Sequence, residues 1–169
     1  MKISAKVICC ALLSCAAIVV PAKAKGATDD DKKFLAMAAQ SDVNEIQLSQ
    51  VAVQKATNPA VKAFAQKMIV EHKKLTTSMK PFADEWGITP PAGVDDDHQK
   101  ELDKLNGLSG ADFDKEYMSA MVSDHAKALD AFTTEAKDTK DLKFRAVVLK
   151  GKTVVAAHKN MAYDLKKKL

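Results

Sequence analysis

Polar and apolar positions alternate along this chain in a rhythm that sets its architecture before any single residue is considered. A first stripe runs through Phe34, Ala38, Ser41, Glu45, Leu48 and Ala52, and a second through Val61, Ala65, Met68, His72, Leu75, Met79, Phe82 and Trp86. A third follows Met118, Val122, His125, Leu129, Phe132 and Ala136, and a fourth Phe144, Val147, Gly151, Val154, His158, Met161 and Leu165. Steps of four and three average close to the ~3.6 residues of a helical turn, so each set lies on one side of a helix. No stretch alternates with the period of two that marks a half-buried strand. Four long amphipathic segments predict an all-α fold.

Local signals place the ends of those segments. Thr28 to Asp31 reads as a capping box, with Asp29, Asp30 and Asp31 at the positive end of the first helix. Asn58-Pro59 closes that helix and opens the second, asparagine as N-cap and proline in the first turn. Pro81 predicts a kink and Gly87 a stop. In the connection 88–108, Thr89-Pro90-Pro91-Ala92-Gly93 is turn material and Asp95 to Asn106 a short helix capped by its aspartates and closed by Gly107. Ser109 to Asp112 is a second capping box, a turn falls at Asp138 to Asp141, and Lys166 to Lys168 sit at the negative end of the last helix. The expected architecture is a four-helix bundle with one long connection, containing a short helix, between the second and third long helices. Few glycines (6), prolines (5) and aromatics (5%) agree with it.

The first 24 residues stand apart. Lys2 and Lys6 form a positive start, Val7 to Val20 an apolar run, and Ala22-Lys23-Ala24 an A-x-A cleavage signal. That run is shorter than the ~18–20 residues that span a bilayer, so the reading is a cleaved signal peptide (1–24) before one bundle domain (25–169), in the periplasm or secreted, with no membrane span. Cys9, Cys10 and Cys15 all lie in the leader, leaving no thiolate ligand after cleavage. Leu12-Leu13-Ser14-Cys15 offers the alternative of a lipid anchor at Cys15. Losing Lys2, Lys6 and Lys23 takes 26 basic residues to 23 against 22 acidic ones, a net +1 that gives no basic face for nucleic acid.

Four ionisable residues interrupt the stripes, one per helix: Glu45, His72, His125 and His158. Glu45 lies 13 residues before Asn58 and His72 lies 14 after it, so both stand about 20 Å from that turn. His125 lies 13 before Asp138 and His158 lies 17 after Asp141, a mismatch of about one helical turn. The four are therefore expected to meet near mid-bundle, whichever way the third long helix runs relative to the second. Three readings fit them. One is a satisfied polar network, Glu45 accepting from the histidines with Tyr117 or Ser41 nearby. Another is a transition-metal site for copper, zinc or iron. The third is a prosthetic group held by histidine and methionine, without covalent haem, since no C-x-x-C-H occurs. Met68 and Met121 each precede a histidine by four residues and Met161 follows one by three, so thioethers share the histidine faces. The ferritin di-iron pattern, Glu-x-x-His on two helices, is absent: Glu71-His72 and Asp124-His125 are neighbours about 100° apart, which leaves Glu71 and Asp124 at the edge. His98, in the connection, reads as solvated.

The stretch Asn58-Pro59-Ala60-Val61-Lys62-Ala63-Phe64-Ala65-Gln66-Lys67-Met68, the pair Phe113-Asp114 with Tyr117, and the blocks Met68 to His72 and Met121 to His125 resemble the family called domain of unknown function 4142. The resemblance spans about Phe34 to Met161. It implies a ferritin-like fold and export from a bacterium, and carries no activity. Members are often labelled outer-membrane proteins, although no β-barrel alternation is present. This chain departs from the family at Lys152-Thr153, where Leu-Pro is usual before the last histidine. The functional expectation is a non-enzymatic binding protein, or an envelope or stress-related one, of unknown partner. The alternative is a metalloprotein with a Glu/His core site.

Overall fold

Thr28 opens the first helix as its sequence requires: its hydroxyl accepts from the Asp31 amide (3.1 Å) while the Asp31 carboxylate accepts from the Thr28 amide (2.7 Å). The computed structural model describes residues 26–169, and the leader and Cys15 fall outside them. Five helices follow one another: α1 (Asp29–Lys55), α2 (Pro59–Trp86), α3 (Asp96–Gly107), α4 (Gly110–Asp138) and α5 (Leu142–Lys166). Among the described residues there is no strand.

Most caps are the expected ones. Asn58 accepts from Ala60 with Pro59 in the first turn, Asp95 from His98, and Asp141 from Lys143 and Phe144. Gly87 ends α2 in the left-handed region, φ 69°, where a Cβ would be strained. Helix α2 runs through Pro81 unbroken. Ser109 departs from expectation, since its side chain caps nothing. Gly110 follows at φ 59°, and α4 is anchored instead by Asp114, whose carboxylate accepts from the amides of Thr57 and Asn58 and the Thr57 hydroxyl at 2.7–3.1 Å. A charge-assisted triple acceptor of this kind ties the start of α4 to the α1–α2 turn.

Chain direction follows from who meets whom. Phe34 packs on Phe132, Ser49 on Tyr117 and Thr57 on Asp114, so α4 is antiparallel to α1. Trp86 packs on Phe144 and Glu71 bonds His158, so α5 is antiparallel to α2. The α1–α2 and α4–α5 hairpins thus lie side by side with α2 and α4 parallel. That arrangement forces the connection to travel the length of the bundle. It does so as α3, laid over the α1/α4 seam: Asn44 binds Asp95 near its start and Lys55 binds the Leu105 carbonyl near its end.

Two apolar clusters fill the interior. One gathers Leu48, Met68, Leu105, Phe113, Tyr117, Met118 and Met121. The other gathers Phe34, Leu75, Met79, Phe132, Phe144, Val148 and Val155. Gly151 lets α5 close on α4, since a Cβ there would run into the Phe132 ring. On α5 Phe144, Gly151 and His158 are buried as expected, while Val148, Val155 and Ala162 are buried in place of their neighbours Val147, Val154 and Met161. Helix α5 passes Lys152-Thr153 without interruption. No helix among the described residues is long and apolar enough to cross a membrane. Between the two clusters lies a polar layer.

Candidate metal centre

Three imidazoles make that layer. His72 comes from α2, His125 from α4 and His158 from α5, at 3%, 1% and 0% exposure. Their ring centroids stand 5.5, 5.3 and 5.3 Å apart, close to an equilateral triangle. One ring nitrogen from each lies within 4.8 Å of the others, and Nε2 of His72 is 3.4 Å from Nε2 of His125. Among the described residues this is the one histidine, cysteine or acid cluster with metal-ligand spacing.

The outward-facing nitrogens are all engaged. His72 Nδ1 donates to Asp42 Oδ1 at 2.9 Å, and Asp42 Oδ2 accepts from the Thr76 hydroxyl at 2.7 Å. His125 Nδ1 donates to the Met121 carbonyl at 2.8 Å. His158 Nε2 donates to Glu71 Oε2 at 2.5 Å, and Glu71 Oε1 accepts from Lys67 at 2.6 Å. Carbonyls and carboxylates only accept, so these partners set the tautomers. The remaining nitrogens, Nε2 of His72 and His125 and Nδ1 of His158, are left with lone pairs, and His158 Nδ1 is buried with no partner. Two lone pairs 3.4 Å apart cannot bond to each other unless one ring takes a second proton. Burial opposes that, holding His125 below the usual histidine range. Burial also pulls His158 down to about 4 against the pull of Glu71. Three converging lone pairs, each ring braced by an oxygen behind it, are the outer-shell pattern of a histidine metal site.

Glu45 occupies the layer without joining the triangle. Its Oε1 lies 3.6 Å from His125 Nδ1, the nitrogen facing away from the other rings, and its Oε2 is buried without a partner. Burial raises its carboxyl to about 8, so it is neutral at pH 7. Tyr117 and Ser41 do not serve it: the Tyr117 hydroxyl pairs with Ser49 at 2.9 Å, one helical turn beyond Glu45. Met68 and Met121 are fully buried in the neighbouring apolar cluster, and Met121 contributes its carbonyl. Glu71 is the acid that braces a histidine. Asp124 turns outward.

Asp124 turns toward His98, and here the expectation of a solvated histidine is corrected. His98 Nδ1 lies 2.7 Å from Asp95 and Nε2 lies 3.5 Å from Asp124, with the side chain 21% exposed. The bond to Asp124 and then that to Asp95 lift the imidazole to about 9, so it is a cation at pH 7. Burial pulls the Asp95 carboxyl upward, yet the bonds from the His98 amide and ring outweigh it and hold the group near about 2. His98 is thus a clasp fastening α3 to α4 beside the His125 turn. Sequence reasoning also passed over Asp42 and Thr76. Asp42 lies 16 residues before Asn58 and Thr76 lies 18 after it, matched heights that were open to the same counting as Glu45 and His72.

Fold and site together define a class: a helical bundle whose interior carries a buried, oxygen-braced tri-imidazole centre. The chain belongs to the family described as domain of unknown function (DUF4142), which matches residues 18–165. No curated protein matches it. Solved structures of similar fold include a DUF305 fragment from Deinococcus radiodurans, with 12% identity, TM-score 0.75, and coverage of 86% of this chain and 100% of that one. CopM in its Cu(I)-bound form is similar at 20% identity and TM-score 0.69, with 84% and 97% of the two chains covered. CopM in its Cu(II)-bound form gives 21%, 0.67, 82% and 96%.

Proposed function

We propose that the protein is an exported, non-enzymatic metal-binding protein that holds one transition-metal ion between His72, His125 and His158, with copper the first choice. The observation that carries this is the triangle of unpaired nitrogen lone pairs, one of them a buried atom with no other partner. Imidazole suits copper, zinc and iron alike. Copper leads because CopM, of similar fold, was solved with Cu(I) and Cu(II). Asp42 and Glu71 would raise the basicity of their rings and hold them in register for the ion. Rings this deeply buried favour holding an ion over presenting it to a substrate. A ferritin-like relationship is supported by the two antiparallel hairpins and their long connection, while ferritin's two-iron chemistry is not, for want of Glu-x-x-His. Export rests on the leader motif, with cleavage after Ala24.

Protein expressed with its leader and purified from the periplasm is the material for the test. Intact mass is expected to begin at Lys25, without a lipid on Cys15. Anaerobic Cu(I) titration against a competing chelator is expected to show one equivalent bound. His72→Ala, His125→Ala and His158→Ala should each abolish it. Failure to bind copper, zinc or iron would leave the layer a structural hydrogen-bond network.

A further inference from the structure

The three arms of the centre differ in how near they come to solvent. His125 is braced by a backbone carbonyl inside its own helix. His72 is braced by Asp42, whose side chain is 8% exposed and held by two donors. The cavity on the α1/α2 seam that Asp42 and Thr76 line is the smaller, about 160 Å³, and is rimmed by the paired Lys80 and Asp84. The third arm is open. Glu71 is 27% exposed, and what holds its free oxygen is Lys67, itself 43% exposed. Just beyond Lys67 a groove of about 360 Å³ runs along the α2/α5 seam, lined by Phe64, Lys67, Met161, Asp164 and Leu165. The groove reaches Lys67, and the contacts of Lys67 with Glu71 and of Glu71 with His158 carry the line on to the centre.

We propose that the metal ion is loaded and released along the α2/α5 seam, with the Lys67–Glu71 pair as its gate and His158 as the first ring it meets. This rests on the reading that the three imidazoles bind a metal. The chemistry along the line suits a cation's passage. Asp164 sets a carboxylate on the groove wall to offset the Lys67 cation, and Met161 offers a thioether, a soft ligand for Cu(I), on the same helix and three residues from His158. At the inner end, Glu71 spans Lys67 and His158 with its two oxygens, so one rotation of its side chain breaks both contacts at once. An exposed lysine–carboxylate pair is weak enough to open thermally. Opening it exposes His158, whose other nitrogen already faces His72 and His125.

A gate is distinguished from a brace by rates. Stopped-flow transfer of Cu(I) to and from a chromogenic chelator, without oxygen, gives the association and release rates of the full mature protein. Lys67→Ala should speed both by about two- to fivefold, the scale set by losing an exposed ion pair, so that their ratio moves much less than either. Glu71→Gln should speed both further and weaken affinity too, because His158 loses its anionic partner. Lys80→Ala, on the α1/α2 rim, should match wild type. Wild-type rates in Lys67→Ala, or acceleration by Lys80→Ala instead, would overturn the route while leaving the centre standing. A wild-type protein that takes no Cu(I) at equilibrium would overturn the metal reading itself, and the route with it.

Discussion

Two groups of rings at nearly the same spacing lie in this bundle, and they need different things. Phe34, Phe132 and Phe144 pack edge-to-face at 4.9 and 6.0 Å, one ring each from α1, α4 and α5. His72, His125 and His158 stand 5.3–5.5 Å apart, from α2, α4 and α5. A phenyl edge is weakly positive and its face weakly negative, so tilted phenyl rings satisfy one another. An imidazole edge with its outer N–H already committed turns a lone pair inward, and three such edges meeting in a dry interior have nothing to share. The first group completes the fold by itself. The second, on the metal-binding proposal, is completed by a cation.

That contrast can be broken by mutation. Removing a phenyl should cost the fold and spare the site: Phe132→Ala is expected to lower stability by about 3–5 kcal/mol in urea unfolding, with and without metal, while folded protein keeps its copper affinity. His158→Ala should cost the metal-free protein less than this and should remove the whole stability increment that copper adds. Equal metal-free losses, or copper stabilisation surviving in His158→Ala, would erase the distinction between the two groups.

A smaller effect sharpens it. Asp42 touches His72 and Thr76 and lies outside the triangle, so Asp42→Asn loses the charge while its amide oxygen still accepts from His72, and the Thr76 hydroxyl, which also donates to the His72 carbonyl, can accept from the new NH2. Copper affinity is expected to fall about 10- to 100-fold with little change in the metal-free melting temperature. An unchanged affinity would mean that the carboxylate braces the fold alone.

Much of this was legible from residue order. The alternating stripes carry helix number and length, because a core-facing side must repeat near 3.6 residues, and Thr28, Asn58, Asp95 and Asp141 announce their helices through local bonds. The three histidines were visible as interruptions within about one helical turn of a common height. Which oxygen braces which ring was not legible, because it depends on how each helix is rotated about its axis. On α5 both a three-four and a four-three stripe pass through Phe144, Gly151 and His158, and the helix's rotation in the bundle selects Val148, Val155 and Ala162 over Val147, Val154 and Met161. The parallel course of α2 and α4 depends on the path of α3. Ser109 caps nothing, and Asp114, whose carboxylate gathers three donors across the α1–α2 turn, anchors the start of α4 through a tertiary contact. His98 finds Asp124 only after α3 has folded back, a tertiary contact with no local sign.

His98 supplies the smallest effect, a pH dependence of the clasp outside the centre. Its imidazole is raised from 6.5 to about 9, so its contribution is fully present below pH 6.5 and is lost as pH rises through about 9. Urea midpoints of metal-free wild type should therefore fall relative to His98→Asn between pH 6.5 and 9.5. Parallel curves would show that the clasp carries no net stability.

The most direct test of the three-imidazole centre is X-ray absorption at the copper edge of Cu(I)-loaded mature protein. Three nitrogen neighbours with the outer-shell signature of imidazole, and no sulfur, are expected for wild type, together with loss of that signature in His158→Ala. A sulfur neighbour would move the ion toward Met68 or Met121. A spectrum unchanged by His158→Ala would contradict a centre built on the three rings.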